Sequence, residues 1–186
     1  PEHPKVATHL SNLAQLLQTT NRLSEAEPLM RRALIIDETS YGSNHPKIAT
    51  RINNLGVLLQ ATSRLSEAEP LMRRALMIDE ASYGPDHPNI ATYLNKLAQL
   101  LQTTNRPSEA EPLMRRALMI DETSYGPDHP SIARDLNNLA VLMQATNRLS
   151  EAERLMRRAL AIDEASYGPE HPKVATHLSN LAQLLQ

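Results

Sequence analysis

Residues 3–44 read HPKVATHLSNLAQLLQTTNRLSEAEPLMRRALIIDETSYGSN, and then the text starts again. His-Pro recurs at His3-Pro4, His45-Pro46, His87-Pro88, His129-Pro130 and His171-Pro172, each step being 42 residues. Ser-Glu-Ala-Glu keeps the same step at Ser24, Ser66, Ser108 and Ser150, and Ser-Tyr-Gly ends at Gly42, Gly84, Gly126 and Gly168. A fixed period between about 20 and 50 residues marks a solenoid or a propeller. The chain, 1–186, therefore reads as a single repeat array with units 3–44, 45–86, 87–128 and 129–170 and a partial unit 171–186. Residues 1–18 and 169–186 are identical letter for letter. The first residue is Pro1 rather than Met, so the chain is expected to be a piece of a longer protein.

Each unit reads as two helices. His-Pro opens the first, with His as N-cap and Pro at the first helical position, where its missing N–H costs nothing. Val6, Leu10, Leu13, Ala14 and Leu17 then recur at three- and four-residue steps, the spacing of one helical face. Thr19 to Arg22 break the pattern. Ser24 with Glu27 predicts a capping box for the second helix. Ala26, Met30, Ala33 and Leu34 form its apolar stripe, and Gly42 is expected to close it in a left-handed conformation. Strand signals are lacking.

Composition excludes several functions. Lys and Arg total 19 against 21 Asp and Glu, a formal charge of −2. That balance argues against a nucleic-acid or anionic-membrane partner. The chain has no Cys, Phe or Trp, so thiol chemistry and thiolate metal sites are ruled out and the core must be aliphatic. No apolar run approaches the ~18 residues of a membrane span, and no signal peptide is visible, so a cytoplasmic location is expected. The five glycines are isolated, which leaves no phosphate loop. The His-Pro histidines, one per repeat, stand too far apart to share a metal. The pairs Arg31-Arg32, Arg73-Arg74, Arg115-Arg116 and Arg157-Arg158 read as a salt-bridged surface, with Glu27 four residues before Arg31. Asp37, Asp79, Asp121 and Asp163 recur beside the apolar stripe, and each is expected to bond an Arg or a backbone N–H at a repeat junction. One carboxylate per repeat does not make a catalytic pair. No catalytic residue, cofactor or metal is expected.

Small residues fall where two helices must approach closely. They are Ala14, Gly56, Ala98, Ala140 and Ala182 in the first helix, and Ala26, Ala68, Ala110 and Ala152, then Ala33, Ala75, Ala117 and Ala159, in the second. The order Leu-Ala, Leu, Glu-Ala, Met and Ala resembles the tetratricopeptide repeat, whose usual period is 34. The 42-residue form with Asn-Asn-Leu-Ala and a His-Pro start is similar to the repeats of kinesin light chains. The eight extra residues equal about one added turn per helix. The resemblance implies an all-α, right-handed superhelical solenoid of antiparallel helix pairs, about nine helices in all. It also implies a non-catalytic protein–protein interaction scaffold.

On a wheel of 100° per residue, Leu10, Leu13, Ala14, Leu16 and Leu17 cover one side of the first helix and polar residues the other. In the family that polar arc lines a concave groove. The resemblance thus implies peptide-binding residues Thr8, Ser11, Asn12 and Gln15; Thr50, Asn53, Asn54 and Val57; Thr92, Asn95, Lys96 and Gln99; and Arg134, Asn137, Asn138 and Val141. Amides and hydroxyls carry donors and acceptors that suit an extended peptide backbone. First helices hold Lys5, Lys47, Arg51, Lys96, Arg134 and Lys173 against Asp135 alone, which favours a polar or acidic peptide. Arg51, Tyr93 and Asp135 replace His9 at one groove-edge position, a variation that points to a ligand. Chaperone-binding members hold a terminal carboxylate with two lysines that Thr8 and Thr92 replace here, so that clamp is incomplete. The alternative is a structural spacer or self-associating array with no dedicated ligand. Leu178, Leu181, Leu184 and Leu185 leave apolar surface on the last helix, and the first helix has the same letters, so end-to-end self-association through the terminal helices is expected.

Overall fold

The computed structural model describes residues 3–184. Among them are nine helices and no strand: α1 (Pro4–Thr19), α2 (Leu23–Tyr41), α3 (Pro46–Ala61), α4 (Leu65–Tyr83), α5 (Pro88–Thr103), α6 (Pro107–Tyr125), α7 (Pro130–Ala145), α8 (Leu149–Tyr167) and α9 (Pro172–Leu184). No helix among the described residues is long and apolar enough to cross a membrane. The chain forms two compact units, Pro1–Leu100 and Leu101–Gln186. In unit 1, α1 packs on α2, α2 on α3 and α3 on α4. In unit 2, α6 packs on α7, α7 on α8 and α8 on α9.

All five His-Pro pairs start a helix as expected. The His Nδ1 accepts the backbone N–H two residues on, at 3.2 Å in His3, His45, His129 and His171 and 3.3 Å in His87. Each cap from the second onward also rests against the preceding tyrosine, with Tyr41–His45, Tyr83–His87, Tyr125–His129 and Tyr167–His171 ring centroids 4.6–5.1 Å apart. The helix end and the next helix start are thus joined by one aromatic contact.

The turn between these two residues differs from expectation. Gly42, Gly84, Gly126 and Gly168 have φ of +83 to +91° but ψ of +153 to +160°. That is an extended conformation open only to glycine, not the left-handed helical one. The left-handed residues lie at the other turn, where Asn21, Ser63, Asn105 and Asn147 have φ near +60°. The following Arg22, Arg64 and Arg148 N–H groups reach back to Leu17, Leu59 and Met143 at 2.8 Å, and Arg106 reaches Leu101 at 2.9 Å, closing the first helix of each pair.

The capping box does not form. The second helices begin two residues earlier, with Arg22, Arg64, Arg106 and Arg148 at the N-cap and no side-chain cap bond. Glutamates of the motif pair with arginines instead. Arg22 binds Glu25 at 2.6 Å. In unit 1, Glu27, Arg31, Glu67 and Arg64 close a ring of contacts from 2.7 to 3.3 Å between α2 and α4. In unit 2, Glu111, Arg115, Glu151 and Arg148 repeat it at 2.6–2.8 Å. Burial raises the Glu27 carboxyl, but Arg31 and Arg64 overcome that and hold it below the usual range. The arginine pairs are the salt-bridged surface that their spacing predicts.

The small residues mark the closest helix contacts, except Ala182 on α9, which is exposed. Ala14, Ala26, Ala33, Ala68, Ala75, Ala110, Ala117, Ala140, Ala152 and Ala159 are fully buried. A Cβ on Gly56 would lie 2.8 Å from Met72 Cγ, so α3 and α4 meet there without room for a methyl group. The leucine side of the wheel holds for α3, where Leu55 and Leu58 are 1% exposed, but not for α1, where Leu13 is 47% and Leu16 60% exposed. The letters agree; the difference is that α3 is packed between α2 and α4. On α9, Leu178 is exposed while Leu181 is buried against Ala140 and Met156. Leu185 falls outside the described residues.

Candidate functional site

The recurring aspartates are the most informative polar groups. Asp37, Asp79, Asp121 and Asp163 are all buried. Each meets the residue 14 places later, on the next first helix, and that residue is different every time. Arg51 Nε donates to Asp37 Oδ2 while its Nη1 donates to Ser11 Oγ, so one guanidinium links α1, α2 and α3. Tyr93 bonds Asp79 and lies 3.4 Å from Thr50 Oγ1. Burial raises the Asp79 carboxyl and pushes the Tyr93 hydroxyl up to about 12. Asp121 meets a second carboxylate, Asp135, with Arg134 Nη2 at 3.1 and 3.0 Å from the two. Burial and the Asp135 charge push Asp121 up to about 7. Asp163 Oδ2 lies 2.9 Å from His177 Nε2, whose other nitrogen is 3.3 Å from Asn137 Oδ1.

An arginine therefore answers Asp37 and Asp121, as expected, but a tyrosine answers Asp79 and a histidine Asp163. The position read as groove edge is a junction position: Tyr93, Asp135 and His177 are buried and Arg51 is half-buried, while His9 is exposed. The 14-residue spacing between a stripe aspartate and a varying polar residue was the signal available in the sequence.

The sixteen candidate groove residues lie on α1, α3, α5 and α7 as expected, but they do not face one way. Thr8, Asn12, Gln15, Thr50, Asn54, Thr92, Gln99, Arg134 and Val141 are exposed. Ser11, Val57, Asn95, Lys96, Asn137 and Asn138 are half-buried, and Asn53 is buried. The residues at the Ser11 position turn toward the junctions. Ser11 accepts from Arg51, and Asn137 Oδ1 accepts from Asn180 Nδ2 at 2.9 Å. Asn53 Oδ1 has no partner.

Two clefts of the same make open between successive first helices, one in each unit. In unit 1, Pro4, Thr8, Lys47, Thr50, Arg51 and Asn54 line it, with Asp37 and Tyr41 from α2. In unit 2, Pro130, Arg134, Asn137, Lys173, Thr176 and His177 line it, with Asp163 from α8. Unit 1 has a second cleft beside the first, sharing Arg51 and Asn54 and running to Gln15, Gln18, Met30 and Val57. Tyr41 and Met30, both from α2, were not among the groove candidates from sequence. No cluster of three or more metal-ligating side chains occurs among the described residues.

No curated protein matches the chain. Among solved structures, it is similar to a kinesin light chain candidate from Podosopora anserina with nearly identical TPR-like repeats. The identity there is 25% with a TM-score of 0.85, over 99% of this chain and 87% of that one. It is also similar to BtubC (BKLC) from P. vanneervenii, at 24% identity and a TM-score of 0.84, over 97% and 72% of the two chains. The apo form of RapI shares the fold at 16% identity and a TM-score of 0.80, over 96% and 62%. The tetratricopeptide repeat model matches residues 5–81, 48–123 and 113–165. Those matches span most of the sequence, and the helix pairs beneath them carry the family's small-residue contacts: this chain belongs to the tetratricopeptide repeat family.

Proposed function

We propose that this chain is a non-catalytic scaffold that binds extended peptide segments on the first-helix face of each unit. Tetratricopeptide arrays mediate protein–protein interaction in general, and the family is generally non-catalytic. The observation that carries the finer reading is the recurrence of one cleft, at equivalent positions, in both units. Its rim is made of hydroxyls, amides and cations, which can pair with the alternating C=O and N–H groups of an extended chain. The cations Lys47, Arg134 and Lys173 are exposed at the rim while Asp37 and Asp163 are buried at the floor, so a polar or acidic peptide is favoured.

The test is peptide capture by the whole chain, compared with Asn12→Ala/Gln15→Ala/Asn54→Ala, three exposed positions on α1 and α3. Capture should fall at least tenfold at unchanged melting temperature. Equal capture by both forms would remove unit 1 from the reading. Self-association is the second reading, favoured by the exposed Val6, Leu13 and Leu16 on α1 and Leu178 on α9. Light scattering that shows a monomer at high concentration would sink it.

A further inference from the structure

Of the positions that line both clefts, two carry different residues. Thr8 stands where unit 2 has Arg134, and Arg51 stands where it has His177. In unit 1 the Arg51 guanidinium is engaged by Asp37 and Ser11. In unit 2, Arg134 from α7 and Lys173 from α9 face the same cleft from opposite sides. They are close enough for the guanidinium charge to act on the ammonium. Each is oriented from behind. Asp121 and Asp135 hold Arg134, which keeps 54% of its side chain exposed, and the Tyr167 ring and hydroxyl hold Lys173 at 4.4 and 3.0 Å. His177 forms the floor and covers Asp163. Both of its ring nitrogens lie within hydrogen-bond distance of side-chain oxygens, of Asp163 and Asn137.

We propose that the unit 2 cleft is an oxyanion subsite that takes a phosphorylated or carboxylate side chain on Arg134 and Lys173 above His177. The subsite rests on the peptide-binding reading for the carrier of the anion, not for the anion itself. Two cations held on facing helices by their own side-chain partners form a preorganised anion clamp. The matched unit 1 cleft has Thr8 in place of Arg134, and its Arg51 is bound to Asp37.

The experiment is an NMR titration of the whole chain with inorganic phosphate, N-acetyl-phosphoserine amide and N-acetyl-glutamate amide, following the His177 ring. Arg134→Thr installs the unit 1 residue, and Lys173→Asn installs the residue that Asn89 supplies in α5. Saturable shifts should weaken about tenfold in each variant, as loss of a charge-assisted hydrogen bond requires. Arg157→Gln, which removes a cation that pairs with Glu153 and lines neither cleft, should leave them unchanged. Tighter phosphoserine binding assigns the subsite to phosphoryl groups, and equal binding of glutamate assigns it to carboxylates. Arg134→Thr also removes the cation between Asp121 and Asp135, so Lys173→Asn decides the matter should that variant unfold. No saturable shift with any probe, or an Arg157→Gln loss equal to that of Lys173→Asn, overturns the proposal. Failed peptide capture with intact phosphate shifts would instead overturn the peptide reading alone.

Discussion

The α2–α3 junction of unit 1 and the α6–α7 junction of unit 2 bury the same aspartate and answer it in opposite ways. Asp37 meets Arg51, a cation that it holds jointly with Ser11. Asp121 meets another buried carboxylate, and the balancing cation, Arg134, comes from the neighbouring position and is half in solvent. In the first junction burial and charge work together, because breaking the pair would strand an ion in a low-dielectric site. In the second they oppose each other, and the folded state relieves the conflict by holding a proton. A repeat with one sequence frame can thus carry a tight junction and a pH-dependent one by changing two adjacent residues, Thr50-Arg51 to Arg134-Asp135.

The largest expected effect breaks the first junction. Arg51→Ala leaves Asp37 without its cation and should cost about 3–5 kcal/mol in urea unfolding. A cost under 1 kcal/mol would show that Asp37 is neutral or solvated in the folded chain.

The second junction should respond with the opposite sign. The Asp121 carboxyl is raised to about 7 in the folded chain, while an unfolded aspartate titrates near ~3.9. Between those values the folded state holds a proton that the unfolded state has released. Stability should therefore fall as pH rises from about 4 to about 7 and level off above. Asp135→Asn removes the like charge, so it should add about 1–2 kcal/mol at pH 8 and flatten this slope. A pH profile identical in the variant and the parent would refute the part of Asp135 in raising the Asp121 carboxyl.

Tyr93→Phe tests the intermediate case, a neutral donor on Asp79. It should cost about 1–2 kcal/mol, the price of an unsatisfied buried acceptor. No change in the denaturation midpoint would mean that the hydroxyl is not the donor on which Asp79 depends.

The smallest effect lies in the turns that present these helices. Ser63 has φ +61°, where the other three repeats place Asn. Ser63→Gly should add about 0.5–1 kcal/mol, because glycine enters the left-handed region without a Cβ clash. Loss of stability would indicate that the Ser63 side chain makes a contact that outweighs this strain.

Much of this architecture was legible from residues 3–44. The His-Pro caps, the helix pairs and the alanine contacts follow from rules that act within one turn or one face. Ser24 misled because a serine three residues before Glu27 satisfies the capping pattern, while Arg31 one turn on and Arg64 from the next repeat bind that glutamate. Leu13 and Leu55 share a letter and a wheel position, yet one is exposed and the other buried, because only α3 has a helix on each side. In the site, Asn12 and Asn53 looked alike as groove amides. One wheel step separates them, and that step turns Asn53 into the junction.

The sequence by itself determined the period, the all-α class, the helix starts and the positions where helices touch. Each of these depends on a residue and its neighbours within about one turn. Tertiary structure alone decided which residue answers each buried aspartate, which amides remain exposed, and that Arg134 and Lys173 face one cleft. Those outcomes depend on three helices meeting at once. At such a meeting the stripe aspartate accepts whichever side chain the next repeat places 14 residues away, whether that is Arg51, Tyr93, Asp135 or His177.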